Sequence, residues 1–145
     1  MNSNIITKQE LLNFVALVES NPQKYCWTVI CNVSDKTAKH VKENFNLDIA
    51  GYKFVIESNY VKHVIDRHGE RSNDREKIIK SDFLKIPKVL RSPDIVTMGS
   101  TKGNNKILRF KKKFGNTYIY ISVFELRNRL KSLCLNSFFK RKSTE

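Results

Sequence analysis

Three strand-like runs follow one another in the last third of the chain, with space between them for tight turns only. Lys106–Lys112, Thr117–Phe124 and Leu130–Phe138 are rich in β-branched and aromatic residues. A Phe114-Gly115-Asn116 turn joins the first two, and Leu126–Arg129 joins the second to the third. Strands connected this closely pair antiparallel, because a parallel partner needs a crossover of about a dozen residues or more. An antiparallel meander is predicted here, and the rest of the chain must cover one of its faces.

The preceding residues supply helices for that purpose. Thr7 is placed to cap a helix over Lys8–Glu19, with Glu10 as capping-box partner and Leu11, Leu12, Phe14, Val15 and Val18 on its apolar face. Asn21-Pro22 ends it. Tyr25–Val33 reads as a strand, and Ser34-Asp35 opens a second helix to about Asn44 with Ala38, Val41 and Phe45 inward. Tyr52–Glu57 alternates as a short strand. Ser81–Leu90 suits a short helix that tolerates Pro87 near a boundary, and Ser92-Pro93-Asp94 leads into a strand over Ile95–Met98. Thr101–Asn105 reads as a turn, and Glu70–Lys80, almost wholly polar, as a mobile loop placed to fold over substrate or else an ordinary solvated connection. The fold class expected is α+β in one domain: 145 residues suffice for a core, and three Pro and five Gly leave little for linkers.

Charge narrows the function. The chain carries 27 Lys and Arg against 14 Asp and Glu, a net +13, and from Thr101 onward there are 12 basic residues against two acids. Such an excess calls for a polyanionic partner, because each phosphate neutralised releases counterions. No apolar run reaches the length of about 18 residues that spans a bilayer, and Met1–Glu10 lacks a signal-peptide pattern. A monomer acting in the cytoplasm on nucleic acid is expected. Cys26, Cys31 and Cys134 lack metal-type spacing and read as free thiols in a reducing compartment. No metal and no cofactor is expected.

Chemistry concentrates in Glu57–Gly69. Ser58 or Asn59 is a candidate cap, Tyr60, Val61, Val64 and Ile65 recur at helical spacing, and Gly69 is a natural stop. His63 and Arg67 are four apart and share a helix face. His68, five on from His63, is turned away by about 140° in a regular helix, unless the chain ends the helix early and swings that ring back. Two imidazoles with a guanidinium suit acid–base chemistry beside a bound phosphate. His40, between lysines, reads as a surface residue. In the meander Lys106, Arg109 and Lys111 are candidate phosphate contacts, and Tyr118 and Tyr120, on one face of their strand, are candidate base-stacking residues or else core. Lys140-Arg141-Lys142 reads as a flexible basic tail.

The order of these pieces resembles the phage-associated branch of the barnase–EndoU–colicin–RelE-like nuclease superfamily. The resemblance runs from about Leu47 to Lys142. It is carried by L-D-I-A-G-Y-K at 47–53, K-H-V-I-D-R-H-G at 62–69, D-F-L-K-I-P-K-V-L at 82–90 and S-P-D-I-V at 92–96. I-L-R-F-K-K-K at 107–113, T-Y-I-Y-I at 117–121 and L-K-S-L-C-L-N-S-F-F-K at 130–140 complete it. It implies helices packed on a four-stranded antiparallel sheet and metal-independent cleavage of RNA. The paired histidines of the family's helix match His63 and His68 around Arg67. Its terminal Thr, aromatic and Lys correspond to Ser137, Phe139 and Lys140. The catalytic set it implies is His63, Arg67, His68, Ser137 and Lys140, acting on tRNA or another structured RNA. Residues 1–45 receive no assignment from it. An acidic inhibitor or immunity partner is expected on electrostatic grounds alone. The competing expectation is a basic nucleic-acid-binding module without catalysis, which gives the two histidines no task.

Overall fold

A computed structural model describes residues 5–70, 72–101 and 103–143. Arg71 and Lys102, within the expected loop and turn, lie outside the described residues, as do the first four residues of the polar start and the last two residues. Among the described residues four helices and six strands follow one another along the chain, the last four strands in succession. They are α1 (Lys8–Ser20), β1 (Trp27–Asn32), α2 (Asp35–Phe45), β2 (Lys53–Glu57), α3 (Ser58–His68), α4 (Ile86–Arg91), β3 (Ile95–Met98), β4 (Ile107–Phe114), β5 (Tyr118–Arg127) and β6 (Ser132–Lys142).

Local chemistry explains the boundaries. Thr7 caps α1 through a complete capping box with Glu10, its hydroxyl accepting from the Glu10 N–H at 3.1 Å. Ser34 caps α2, accepting from the Thr37 N–H at 3.1 Å. Pro87 sits at the start of α4, where its missing N–H has no helical partner to lose. The expected helix over 81–90 is divided into a 3-10 turn, Lys80–Lys85, followed by α4.

One sheet runs in the order β1-β2-β6-β5-β4-β3. The meander is present: β4, β5 and β6 pair antiparallel. The expected four-stranded antiparallel sheet is corrected in two ways. Six strands take part, and β2 lies parallel to β6, with Val55 opposite Cys134. The physical reason is burial. Ile30, Phe54 and Ile56 on β1 and β2 are fully buried and complete the same core as the meander's inner face, and their strands cover what would be an open edge of β6.

That core takes Phe14 and Val15 from α1, Val41 from α2, Val61 and Val64 from α3 and Val89 from α4, all on one side of the sheet. Phe54, Phe110 and Phe124 meet edge-on at its centre, with ring centroids 5.0–5.9 Å apart. The opposite side carries only a small cluster of Ile107, Ile121 and Val123 with Ile119 and Phe139 against it. Among the described residues no helix contributes to that cluster, and Trp27, Arg109 and Lys113 on this second, open face are exposed to solvent.

Candidate active site

Helix α3 leaves β2 without a connecting loop, so the sheet fixes its start. Glu57 holds the N-cap position but offers no capping bond; its carboxylate is taken by the Tyr25 hydroxyl and by Arg127, whose Nη1 is 3.1 Å away. Ser58, expected as a cap, instead accepts from the Cys26 N–H at 3.0 Å and lies buried against the entry to β1. At the other end the Gly69 N–H bonds the Ile65 carbonyl at 2.9 Å. A Cβ on Gly69 would come within 2.3 Å of that same oxygen, so crowding rather than a left-handed backbone requires glycine here.

The helix runs regularly through His68, and its last ring meets β6. His68 Nε2 lies 3.2 Å from Ser137 Oγ, and its Nδ1 lies 2.7 Å from Asp74 Oδ2. The ring also leans on Phe139, at a centroid distance of 5.2 Å and a tilt of 31°. An ionised Asp74 can only accept, so the Nδ1–H donates to it and the Nε2 lone pair is left to receive the Ser137 hydroxyl proton. The imidazole is thereby oriented and only 22% exposed.

Asp74 arrives by a folded segment. Ser72 Oγ donates to the Gly69 carbonyl at 2.6 Å, and the Asp74 N–H donates to Ser72 Oγ at 3.3 Å. The Lys77 ammonium bonds the Ser72 carbonyl, and the Ile78 N–H bonds the His68 carbonyl at 2.6 Å while the Ile78 side chain enters the core. Residues 72–78, within the segment expected as a mobile or solvated loop, therefore turn back on the end of α3. Sequence reasoning missed Asp74. A carboxylate six residues past a histidine, across a glycine stop, was the one available signal.

A bulge aims Ser137. Val123 faces Ser137 and Phe124 faces Leu135, so Asn136 is an extra residue in β6. It lets Leu135 and Phe138 both enter the core while Ser137 and Phe139 stand on the open face.

The other expected site residues divide between the two faces. Arg109 and Lys111 pair with Val123 and Ile121 and so share the open face with Ser137. Lys106 is exposed just before β4. Tyr118 and Tyr120 point the other way, into the main core cluster, so the expected platform of cations and phenols on one face is not formed. The Tyr120 hydroxyl donates to Asp82 at 2.6 Å, and burial together with that bond holds the phenol far above its usual range. Lys140, also on the inner face, bonds Asp82 Oδ2 at 2.9 Å with its side chain 10% exposed. It is not at His68. Its ammonium instead lies 4.6 Å from the Tyr118 ring centre and lines a separate basic cavity of about 340 Å³ with Lys8, Lys85 and Lys88. His63 is half-buried and edge-on to Tyr60 at 6.2 Å. Because α3 continues through His68, the two histidines keep their helical separation of about 140° and do not converge. Arg67 is exposed beside His68, and His40 is exposed as expected. Among the described residues no group of three or more His, Cys, Asp or Glu gathers as a metal site, and no helix is long and apolar enough to cross a membrane.

The site is thus a carboxylate–imidazole–hydroxyl relay of hydrogen bonds, Asp74–His68–Ser137, on one sheet face of a basic α+β domain. Residues 32–145 match the family described as phage-Barnase-EndoU-ColicinE5/D-RelE like nuclease3, and the chain belongs to that nuclease family. No curated protein and no solved structure matches it. The family match takes in β2, α3 and all of β3–β6, hence every residue of the relay. Residues before it, in α1 and β1, contribute Phe14, Val15 and Ile30 to the same core.

Proposed function

We propose that the chain is a metal-independent endoribonuclease whose acid–base centre is His68, held by Asp74 and aimed at Ser137. The observation that carries the reading is this relay, set on the face that also bears Arg109 and Lys111. Ser137, Val123 and Arg109 lie side by side on three adjacent strands, so Arg109 stands about 10 Å from Ser137 at roughly 4.8 Å per strand. A phosphate placed against Ser137 has cations within reach across the sheet.

RNA brings its own nucleophile. In the proposed reaction His68 Nε2 takes the 2′-OH proton, the 2′-oxygen bonds phosphorus, and the bond from phosphorus to the 5′-oxygen breaks. The departing 5′-oxygen takes a proton from water and the His68 imidazolium returns its proton to the hydroxide left behind, giving a 2′,3′-cyclic phosphate, a 5′-OH and the free imidazole. Asp74 stabilises the imidazolium formed on the way. The Ser137 hydroxyl hydrogen-bonds a phosphate oxygen, while Arg109 and Lys111 offset the charge that builds on the phosphorane. His63 lies on another side of α3 and is left out of this scheme. Transfer RNA is the first structured substrate to try.

The test is incubation with total tRNA and with DNA of matched sequence in excess EDTA. Cutting of RNA alone is expected, abolished in His68→Ala and largely kept in His63→Ala. Cleavage of the DNA, or activity that EDTA removes, would sink the mechanism. Tight, salt-sensitive binding without turnover, unchanged in His68→Ala, would instead establish a non-catalytic nucleic-acid-binding module.

A further inference from the structure

The open face that carries Ser137 continues across β6 and β2 to the edge strand β1, where two aromatic rings stand in water. Tyr25 is 59% exposed and Trp27 58%. With Val55 and the exposed Leu130 they rim a cavity of about 400 Å³ whose polar lining includes Glu57 and Arg127. Large rings left in solvent around a pocket mark a binding surface rather than a core.

The polar lining is already organised. One Glu57 oxygen accepts from the Tyr25 hydroxyl and the other from Arg127, 3.1 Å away, and Arg127 also reaches Glu125 at 3.3 Å. The bond to Glu57 fixes the Tyr25 ring and pushes its phenol up to about 12. Each carboxylate oxygen keeps a second lone pair for an incoming donor. This network lies next to the relay: Glu125 is opposite Cys134, and one same-face step along β5, about 6.6 Å, leads to Val123 opposite Ser137.

These features fit one occupant. Aromatic faces stack on any base, a buried carboxylate accepts from a base N–H, and a chain of net charge +13 draws in the attached phosphates. We propose that Tyr25 and Trp27 form a stacking platform for an unpaired base of a single-stranded nucleic acid lying across this face, with Glu57 accepting a hydrogen bond from the base edge. The platform rests on the same reading of the open face as the substrate surface. It adds a subsite that the family match does not contain in full, since Tyr25 and Trp27 precede residue 32, where the match begins.

Trp27 is the only tryptophan in the chain, so its fluorescence reports the platform directly. The probe is a short single-stranded DNA, which lacks the 2′-OH and so stays intact whether or not the protein cuts RNA. Saturable quenching is expected, with at least tenfold weaker response to the same sequence as a duplex, whose bases are already stacked. Tyr25→Ala should weaken binding roughly 5- to 150-fold, the loss for one base–aromatic stack. Tyr25→Phe, which keeps the ring, should stay within about twofold of the parent on the same account. Equal quenching by duplex and single strand would show phosphate attraction alone and overturn the platform. So would unquenched Trp27, or Tyr25→Ala binding as tightly as the parent. Intact quenching by a protein that cuts no RNA would support the platform while removing the nuclease reading.

Discussion

Asp74 is separated from the proposed chemistry by one imidazole, yet it decides which nitrogen carries the proton. Asp74→Asn presents the ring with an amide that can turn its donor toward Nδ1, favouring the tautomer in which Nε2 is protonated and cannot act as base. The expected result is a fall in kcat of about 10²-fold or more with KM little changed, and Asp74→Glu should restore part of it. Steady-state kinetics on a short RNA would show the split. Lys140 makes the contrast. The resemblance implied a site role for it, but it is committed to Asp82, which is 6% exposed and also held by Tyr120 and by the Ile79 N–H at 2.8 Å. Lys140→Ala leaves a buried carboxylate without its cation and should lower stability by about 3–5 kcal/mol. Urea unfolding would measure that, while kcat at low temperature should stay near the parent value.

At the scale of elements, the end of α3 is the part on which the site depends. The spacing of Val61 and Val64 made the helix legible, and so did the Gly69 stop, because both follow from the 3.6-residue period and from helix-end crowding. The direction in which His68 points was not legible. It depends on β6 lying beside the helix end, where Ser137 comes from 69 residues away, and on residues 72–78 folding back to bring Asp74 to the ring. Gly69→Ala tests the joint. Its methyl group would meet the Ile65 carbonyl oxygen at 2.3 Å, so the last turn must open and carry His68 away from Ser137. A loss of about 1–3 kcal/mol is expected, with a larger proportional fall in RNA cleavage than in stability. Comparing melting temperature with activity would separate the two. The bulge at Asn136 was equally hidden, since nothing in L-C-L-N-S-F-F marks where the alternation slips by one residue.

Across the whole molecule, the sheet sorts the chemistry. Its inner face holds the phenylalanines, Tyr120 and the buried Asp82–Lys140 pair; the open face holds Ser137, Arg109 and Lys111. Two thiols are buried, Cys31 of β1 in the inner core and Cys134 of β6 on the other face, each 3% exposed. Burial pushes both up from 9.0 to about 11. Because the folded chain keeps these protons after the unfolded chain has lost them, the stability they contribute is full below about pH 9 and falls as pH rises toward 11. Urea midpoints at pH 8, 9.5 and 11 should decline accordingly, and a variant with Ala at both positions should show a shallower decline.

The sequence by itself determined the terminal meander, the four helices, the capping of α1 and the excess of positive charge, each through a short-range rule of period, cap or composition. Six strands were legible one by one, but their assembly into a single sheet with a parallel β2–β6 pair was decided by which apolar faces could share a core. The helical period itself keeps His63 apart from His68. Tertiary structure alone turned the tyrosines and Lys140 inward and set His68 against Ser137. Those outcomes depend on strand register and on contacts between residues far apart in the chain, which no local pattern encodes.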